Sequence, residues 1–296
     1  MNKSDVDKCI EAGKISQRLR EYIKEIVEPG RLLDEIADLI SDKIEELGAR
    51  AAFPVSLAID DVAAHFSPNI GDDRKAEGLL KVDFGIAIDG FIADSAISID
   101  LTEDNRHKEL IESVELALDK ALSFIKEDPT IGEIGDLIGS TIESKGFSPV
   151  VNLSGHSIDR HQIHAGITIP NYNNGNSNKL GEGLYAVEPF ATTGEGRVYN
   201  GGPGNVYELI EEKSVRSPIA RKVLSFIVEK YKTLPFALRD VEKEFGGMVR
   251  LGMRELEQQG IIQHHLQLVE KSHKPVAQAE HTFIKKDGEV VVSTKD

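Results

Sequence analysis

Asp83 and Asp94 lie on either side of Asp89-Gly90, in a segment running from Leu79 to Ile99 that is otherwise largely aliphatic. The segment reads as two strands joined at that dipeptide, the strongest short hairpin signal. With a two-residue turn, Ile88 faces Phe91, Gly85 faces Asp94 and Asp83 faces Ala96. Side chains alternate along a strand, so Asp83 and Asp94 become diagonal neighbours on one face, about 7–8 Å apart at Cα. Gly85 leaves open space directly across from Asp94. Two carboxylates directed into one apolar volume repel each other unless a shared proton or a cation neutralises them. A lone aspartate is ordinarily a solvated strand-end residue. This pair sits mid-strand among Val82, Phe84, Ile86, Ile92 and Ala93, which argues for neutralisation instead.

Further donors lie elsewhere in the chain. Ser154-Gly155-His156-Ser157 places a histidine in a polar, glycine-containing turn. Gly183 to Phe190 sets Glu188 in an apolar strand, and Ala279-Glu280-His281-Thr282 opens a final hairpin with another carboxylate. Four carboxylates and one imidazole form a hard, oxygen-rich set suited to Mn(II), Fe(II) or Co(II). Bridging carboxylates can hold two such ions about 3.5–4 Å apart.

The elements that must position these groups follow from periodicity. Residues 4–27 carry apolar positions at helical spacing from Val6 to Ile26, with Ser4 as the expected N-cap and Pro29-Gly30 as the stop. A second helix is expected from Leu32 to Leu47, closed by Gly48, and two more near 106–126 and 130–145, the last closed by Gly146. Residues 149–192 read as strands and loops. The final hairpin runs from His281 to Lys286 and from Glu289 to Ser293, turning at Asp287-Gly288. Between them, 205–268 reads as helical, with Ser217–Tyr231 and Val241–Gln259 amphipathic and Leu234-Pro235 and Gly246-Gly247 as breaks. This order is an α+β pattern, not an alternating βαβ one.

Composition excludes several classes. The 296 residues, 40% hydrophobic and 29% charged, are ordinary for a globular protein. A net charge of −15 opposes nucleic acid or an anionic membrane as the main partner, and Glu229, Asp240, Glu242 and Glu244 argue likewise for the helical segment. Cys9 is the sole cysteine, so no internal disulfide or cysteine zinc site forms. No apolar run approaches the roughly 20 residues of a membrane span, and Met1 to Lys14 lacks the apolar core of a signal peptide. A cytoplasmic protein is expected.

Six short motifs then occur in order: Phe53-Pro54 with Ala63-Ala64-His65; Val82-Asp83-Phe84-Gly85 followed by Asp94; Gly155-His156-Ser157; Ile163-His164-Ala165-Gly166; Tyr185-Ala186-Val187-Glu188; and Ala279-Glu280-His281-Thr282. Each alone is weak, and together they are specific. The sequence resembles the type 2 methionine aminopeptidases of the pita-bread fold over essentially the whole chain. The long basic N-terminal extension of eukaryotic members has no counterpart here, which makes the resemblance closer to archaeal forms.

The resemblance implies a pita-bread catalytic domain over 1–204 and 269–296, with a helical, winged-helix-like insert over 205–268. It implies a cytoplasmic, monomeric metalloaminopeptidase that removes the initiator methionine from nascent proteins and from peptides with a small second residue. Two divalent metal ions per chain, Co, Mn or Fe ahead of Zn, would activate water for attack on the first peptide bond. Asp94 and Glu280 would bridge the ions, with Asp83 holding one and His156 and Glu188 the other. Glu188 would take the proton from water, while His65 and His164 would contact the scissile amide. Phe53 and Ile163 would line the methionine pocket. His265 falls where eukaryotic relatives place a pocket tyrosine, so the rim is expected to differ. Xaa-Pro peptidases of the same fold use similar ligands but usually carry a further N-terminal domain, whereas only residues 1–52 precede Phe53. Non-enzymatic relatives lose ligands that are all present here. His161 is expected to be a surface or supporting residue.

Overall fold

The computed structural model describes residues 1–295. The chain opens with helices α1 (Lys3–Ile26) and α2 (Leu33–Glu46), then short strands β1 (Arg50–Ala51), β2 (Ser56–Ile59) and β3 (Val62–Ala64). The long hairpin β4 (Leu79–Ile88) and β5 (Phe91–Asp100) leads to α3 (Lys108–Phe124) and α4 (Ile131–Ser144). Strands β6 (Ser148–Pro149), β7 (Ser154–Ile158), β8 (Thr168–Pro170), β9 (Gly183–Val187), β10 (Phe190–Thr192) and β11 (Val198–Leu209) follow. After α5 (Pro218–Lys230), β12 (Phe236–Ala237), α6 (Leu238–Phe245) and α7 (Val249–Gln258), the chain ends in β13 (Ile262–Glu270), β14 (Val276–Gln278), β15 (Glu280–Lys286) and β16 (Glu289–Val292).

Local chemistry sets the helix ends. Asn2, not Ser4, caps α1: its side chain accepts from the Asp5 amide while the Asp5 carboxylate takes the Asn2 amide, a reciprocal capping box. Thr130 and Glu133 make the same device at α4. The aliphatic stripes of α1 and α2, among them Leu19, Ile23, Ile36 and Ile40, bury against the β4–β5 hairpin. Those of α3 and α4, including Val114, Ile134 and Ile138, bury against Tyr185, Val187 and Phe283.

The principal sheet runs β1-β4-β5-β15-β9-β7-β8, with β2 and β16 joined to β4 and β15. The hairpin register is the expected one: Ile88 pairs with Phe91, Gly85 with Asp94 and Asp83 with Ala96. Its far half is recruited from the end of the chain, because β15 pairs with β5 on one side and β9 on the other. A smaller sheet, β12-β11-β13-β3, carries α5, α6 and α7 over a core of Val223, Ile227, Val241, Val249 and Leu256. The limits 204/205 and 268/269 fall inside β11 and β13, and β13 is anchored to the body by the pair Leu268–Ala64. Arg239 of α6 adds a buried tie to α2, reaching Asp34 at 2.6 Å and Asp38 at 2.7 Å.

Candidate metal centre

Five neighbouring strands of the principal sheet each bring one group to a common volume. In sheet order these are Asp83 on β4, Asp94 on β5, Glu280 on β15, Glu188 just past β9 and His156 on β7. Ligand atoms of Asp94, His156 and Glu280 lie within 4.8 Å of one another. The His156 Nε2 is 3.5 Å from an Asp94 carboxylate oxygen and 3.6 Å from one of Glu188. The five residues named from sequence are thus brought together by pairing between strands far apart in the chain.

Close backbone approach makes this possible. A Cβ on Gly155 would lie 2.4 Å from the Ala186 carbonyl oxygen, so only glycine lets β7 sit this tightly against β9 beside His156. The space at Gly85 is not open as the hairpin count implied. A Cβ there would meet the Phe53 ring at 2.3 Å, so the glycine seats that ring edge-on across from Asp94.

Burial decides the electrostatics. Desolvation raises Asp83 to about 7, and raises Asp94, Glu188 and Glu280 well above the ordinary carboxylate range, with repulsion among the four adding to it for the last three. One carboxylate oxygen of each of Asp83, Asp94 and Glu280 is buried without a hydrogen-bond partner. Unpartnered, mutually repelling carboxylate oxygens beside a neutral imidazole fit a divalent cation far better than an apolar core. Burial holds His156 down at about 3, so it offers a lone pair and no positive charge.

The centre forms the floor of a cavity of about 390 Å³. Phe53, Ile163, His65, His164 and His265 all line it, so the structure gathers the remaining expected site residues as well. His164 packs edge-on against His156 with centroids 4.5 Å apart, and His65 packs edge-on against His265 at 5.5 Å. His65 is held at φ +64°, a region few non-glycine residues adopt. Burial lowers His65 to about 4; His164, exposed on its outer side but desolvated by the atoms around its ring, is lowered too, leaving both imidazoles neutral, each with one N–H to donate and one lone pair. His161 is not a free surface group: its ring packs on Gly90, its Nε2 is 3.2 Å from the Lys232 amine, and its carbonyl accepts from Thr233.

Three contributors went unnoticed in the sequence. The Gln278 side-chain amide donates to Asp83 at 3.2 Å and Glu188 at 3.4 Å, linking carboxylates from separate strands of the cluster. Its position two residues before Glu280 was the available signal, since alternate strand residues share a face. Arg20 reaches from α1 to donate to the Glu280 carbonyl at 3.0 Å, and burial lowers its pKa to about 10. Thr282 bonds the Asp94 backbone. Neither of the last two had a local sequence signal.

Comparison with known proteins places the chain in a family. The family model described as metallopeptidase family M24 matches residues 7–216. The methionine aminopeptidase of Pyrococcus abyssi is 42% identical over 98% of this chain and 100% of its own length. Among solved structures, a thermophilic Arx1 superposes with a TM-score of 0.84 at 15% identity, over 99% of this chain and 91% of that one. A methionine aminopeptidase from Thermotoga maritima gives 0.70 at 20% identity, over 100% and 98%. The structural likenesses show the α+β pita-bread fold. With a family model spanning most of its length and a relative matched nearly end to end, the chain belongs to metallopeptidase family M24.

Proposed function

We propose that this protein removes the N-terminal methionine from nascent proteins and peptides, using a pair of divalent metal ions. Membership of a metallopeptidase family implies divalent metal. The observation that carries the reading is the buried set of four carboxylates and one imidazole at the floor of a partly apolar cavity. In this reading Asp94 and Glu280 would serve both ions, Asp83 would help to hold one, and His156 with Glu188 the other. Bound there, the ions would supply Lewis acidity and a water of lowered pKa.

The chain's own groups do the rest. Glu188 accepts the proton of the attacking water, its carboxylate standing beside the ions it would help to hold. His164, neutral and adjacent to His156, donates to the oxygen of the scissile carbonyl as charge builds on it. His65 contacts the amide nitrogen on the leaving side. Phe53 and Ile163 enclose the methionine side chain, and the free amine lies toward Asp83, which would confine cleavage to the first bond. The segment around 205–268 shapes access, placing Val206, Glu208, Pro235 and His265 on the cavity wall. The reading includes a monomer acting in the cytoplasm; among the described residues no helix is long and apolar enough to cross a membrane.

The test is metal-free protein reconstituted separately with Mn, Fe, Co and Zn, then offered Met-Ala, Met-Gly and Xaa-Pro peptides. Release of methionine ahead of small residues, dependent on added metal, is expected. Preferred cleavage before proline, or failure to bind any of the metals near stoichiometrically, would overturn the assignment.

A further inference from the structure

Glu208 is a carboxylate on the cavity wall that belongs to none of the groups assigned above. On β11 it shares a face with Val206, and on β13 His265 pairs with Val206 while Gln263 pairs with Glu208. Glu208 and His265 are therefore diagonal neighbours, the same relationship that brings Asp83 and Asp94 together on β4 and β5. Their closest atoms are 3.5 Å apart, and the His265 Nε2 is buried with no hydrogen-bond partner of its own. The pair is more open than the metal cluster: the Glu208 side chain is 29% exposed and that of Asp94 is 4%. It stands beyond His65, whose ring lies edge-on to His265, and so on the leaving side of the bond.

We infer that Glu208, backed by His265, forms a charge-selective subsite for the substrate residues just downstream of the released methionine, favouring a cationic side chain and disfavouring an acidic one. The inference rests on the aminopeptidase reading above. Extended chain advances about 3.4 Å per residue, so the 5.5 Å from His65 to His265 and the 3.5 Å from His265 to Glu208 together span at most about two to three residues. The scissile nitrogen belongs to the second residue, so the side chains of the third and fourth substrate residues are the ones within reach of the carboxylate. Burial of Glu208 is incomplete and its pKa is lowered, first by its contact with His265, so it is an anion at neutral pH. Among the described residues no Lys or Arg lines the cavity to cancel it. A chain that carries a net charge of −15 would further attract basic peptides and repel acidic ones.

The experiment compares Met-Ala-Lys-Gly, Met-Ala-Gln-Gly and Met-Ala-Glu-Gly on the metal-loaded wild type and on Glu208→Gln. In the wild type kcat/KM for the lysine peptide should exceed that for the glutamate peptide by about five- to tenfold at low salt, shrinking as salt is raised. In Glu208→Gln the ratio should fall to within about twofold. Calorimetric binding of the product peptides Ala-Lys-Gly and Ala-Glu-Gly should show the same preference and the same loss, independently of turnover. A wild-type ratio near one, or a ratio that persists in Glu208→Gln, overturns the subsite. If Glu208→Gln does not fold, Glu208→Ala is read in the same way, and a ratio that persists there overturns the subsite too. No cleavage of the glutamine peptide by the wild type would instead defeat the aminopeptidase reading itself, so the two failures are distinguishable.

Discussion

The Thr282 hydroxyl clasps the Asp94 backbone from both sides, donating to its carbonyl at 2.9 Å and accepting from its amide at 2.8 Å. The ladder between β5 and β15 pairs only Ala96 with Glu280 and Ser95 with His281. At Asp94, where the next pair would fall, a side chain replaces backbone pairing, and this fixes the carboxylate relative to Glu280.

Thr282→Val keeps the shape and removes both bonds. Leaving a buried amide and carbonyl unpaired should cost about 2–4 kcal/mol of folding stability. Metal affinity should fall with it, since Asp94 loses its fixed position. Thr282→Ser retains the hydroxyl and should lose much less of either. Denaturant unfolding and metal titration of both variants check this, and equal behaviour of valine and serine would remove the clasp from the account.

Asp94→Asn separates function from fold. The substitution removes one of several like charges that burial forces together, so the metal-free variant should melt at or above the wild-type temperature. Turnover should nevertheless drop by at least about 100-fold, because even outer partners of metal ligands are worth 10–100-fold. Thermal unfolding in chelator, beside peptide assays in metal, gives both readouts. Near-normal turnover would refute a central role for Asp94.

How much of this was readable beforehand depended on sequence distance. The Asp83–Asp94 relationship follows from one turn dipeptide, because two-residue turns fix register and register fixes faces. The pairing of β5 with β15 spans most of the chain and has no local signature; only resemblance brought Glu280 and His156 to the same site. The filling of Gly85 by Phe53 was invisible for the same reason. The smaller sheet was missed on different grounds. Gly201-Gly202-Pro203-Gly204 has a composition that ordinarily ends a strand, yet β11 passes through it by shifting register against β13 on both sides of Pro203. Bulges let glycine and proline occupy a strand without ending it.

Metal uptake should release protons. The folded-state pKa of Asp83 is raised to about 7, and those of Asp94, Glu188 and Glu280 stand above the usual carboxylate range. Raised values mean that the metal-free fold holds protons the unfolded chain has already given up. For Asp83 that contribution is full below about pH 4 and is lost as pH rises through about 7, and the other three act in the same direction. Lys81, lowered by burial to about 7, acts in the opposite sense above that pH, so melting alone mixes the two. Uptake is the cleaner readout: metal affinity should rise as pH passes upward through about 7, with proton release seen by calorimetry in buffers of different ionisation enthalpy. Affinity independent of pH would contradict a protonated metal-free cluster.

Gly85→Ala tests the wall of the methionine pocket. The new Cβ would stand 2.3 Å and 2.7 Å from two Phe53 ring carbons, and 2.9 Å from the Ala52 Cβ. Side chains on both sides are packed, so the ring must move. Phe53 divides the main cavity from a small one behind it, lined by Ile40, Tyr231 and Asp240. Either tilt changes the surface that meets the methionine, and KM for a methionyl peptide should rise about 10- to 100-fold, as misplacements near 1 Å do. Adding Phe53→Leu to Gly85→Ala relieves the clash and should return part of the lost KM while metal binding stays unchanged. A single variant with normal KM would show that the Phe53 ring does not bound the pocket. A double variant no better than the single would show that the damage passes through Asp94 instead.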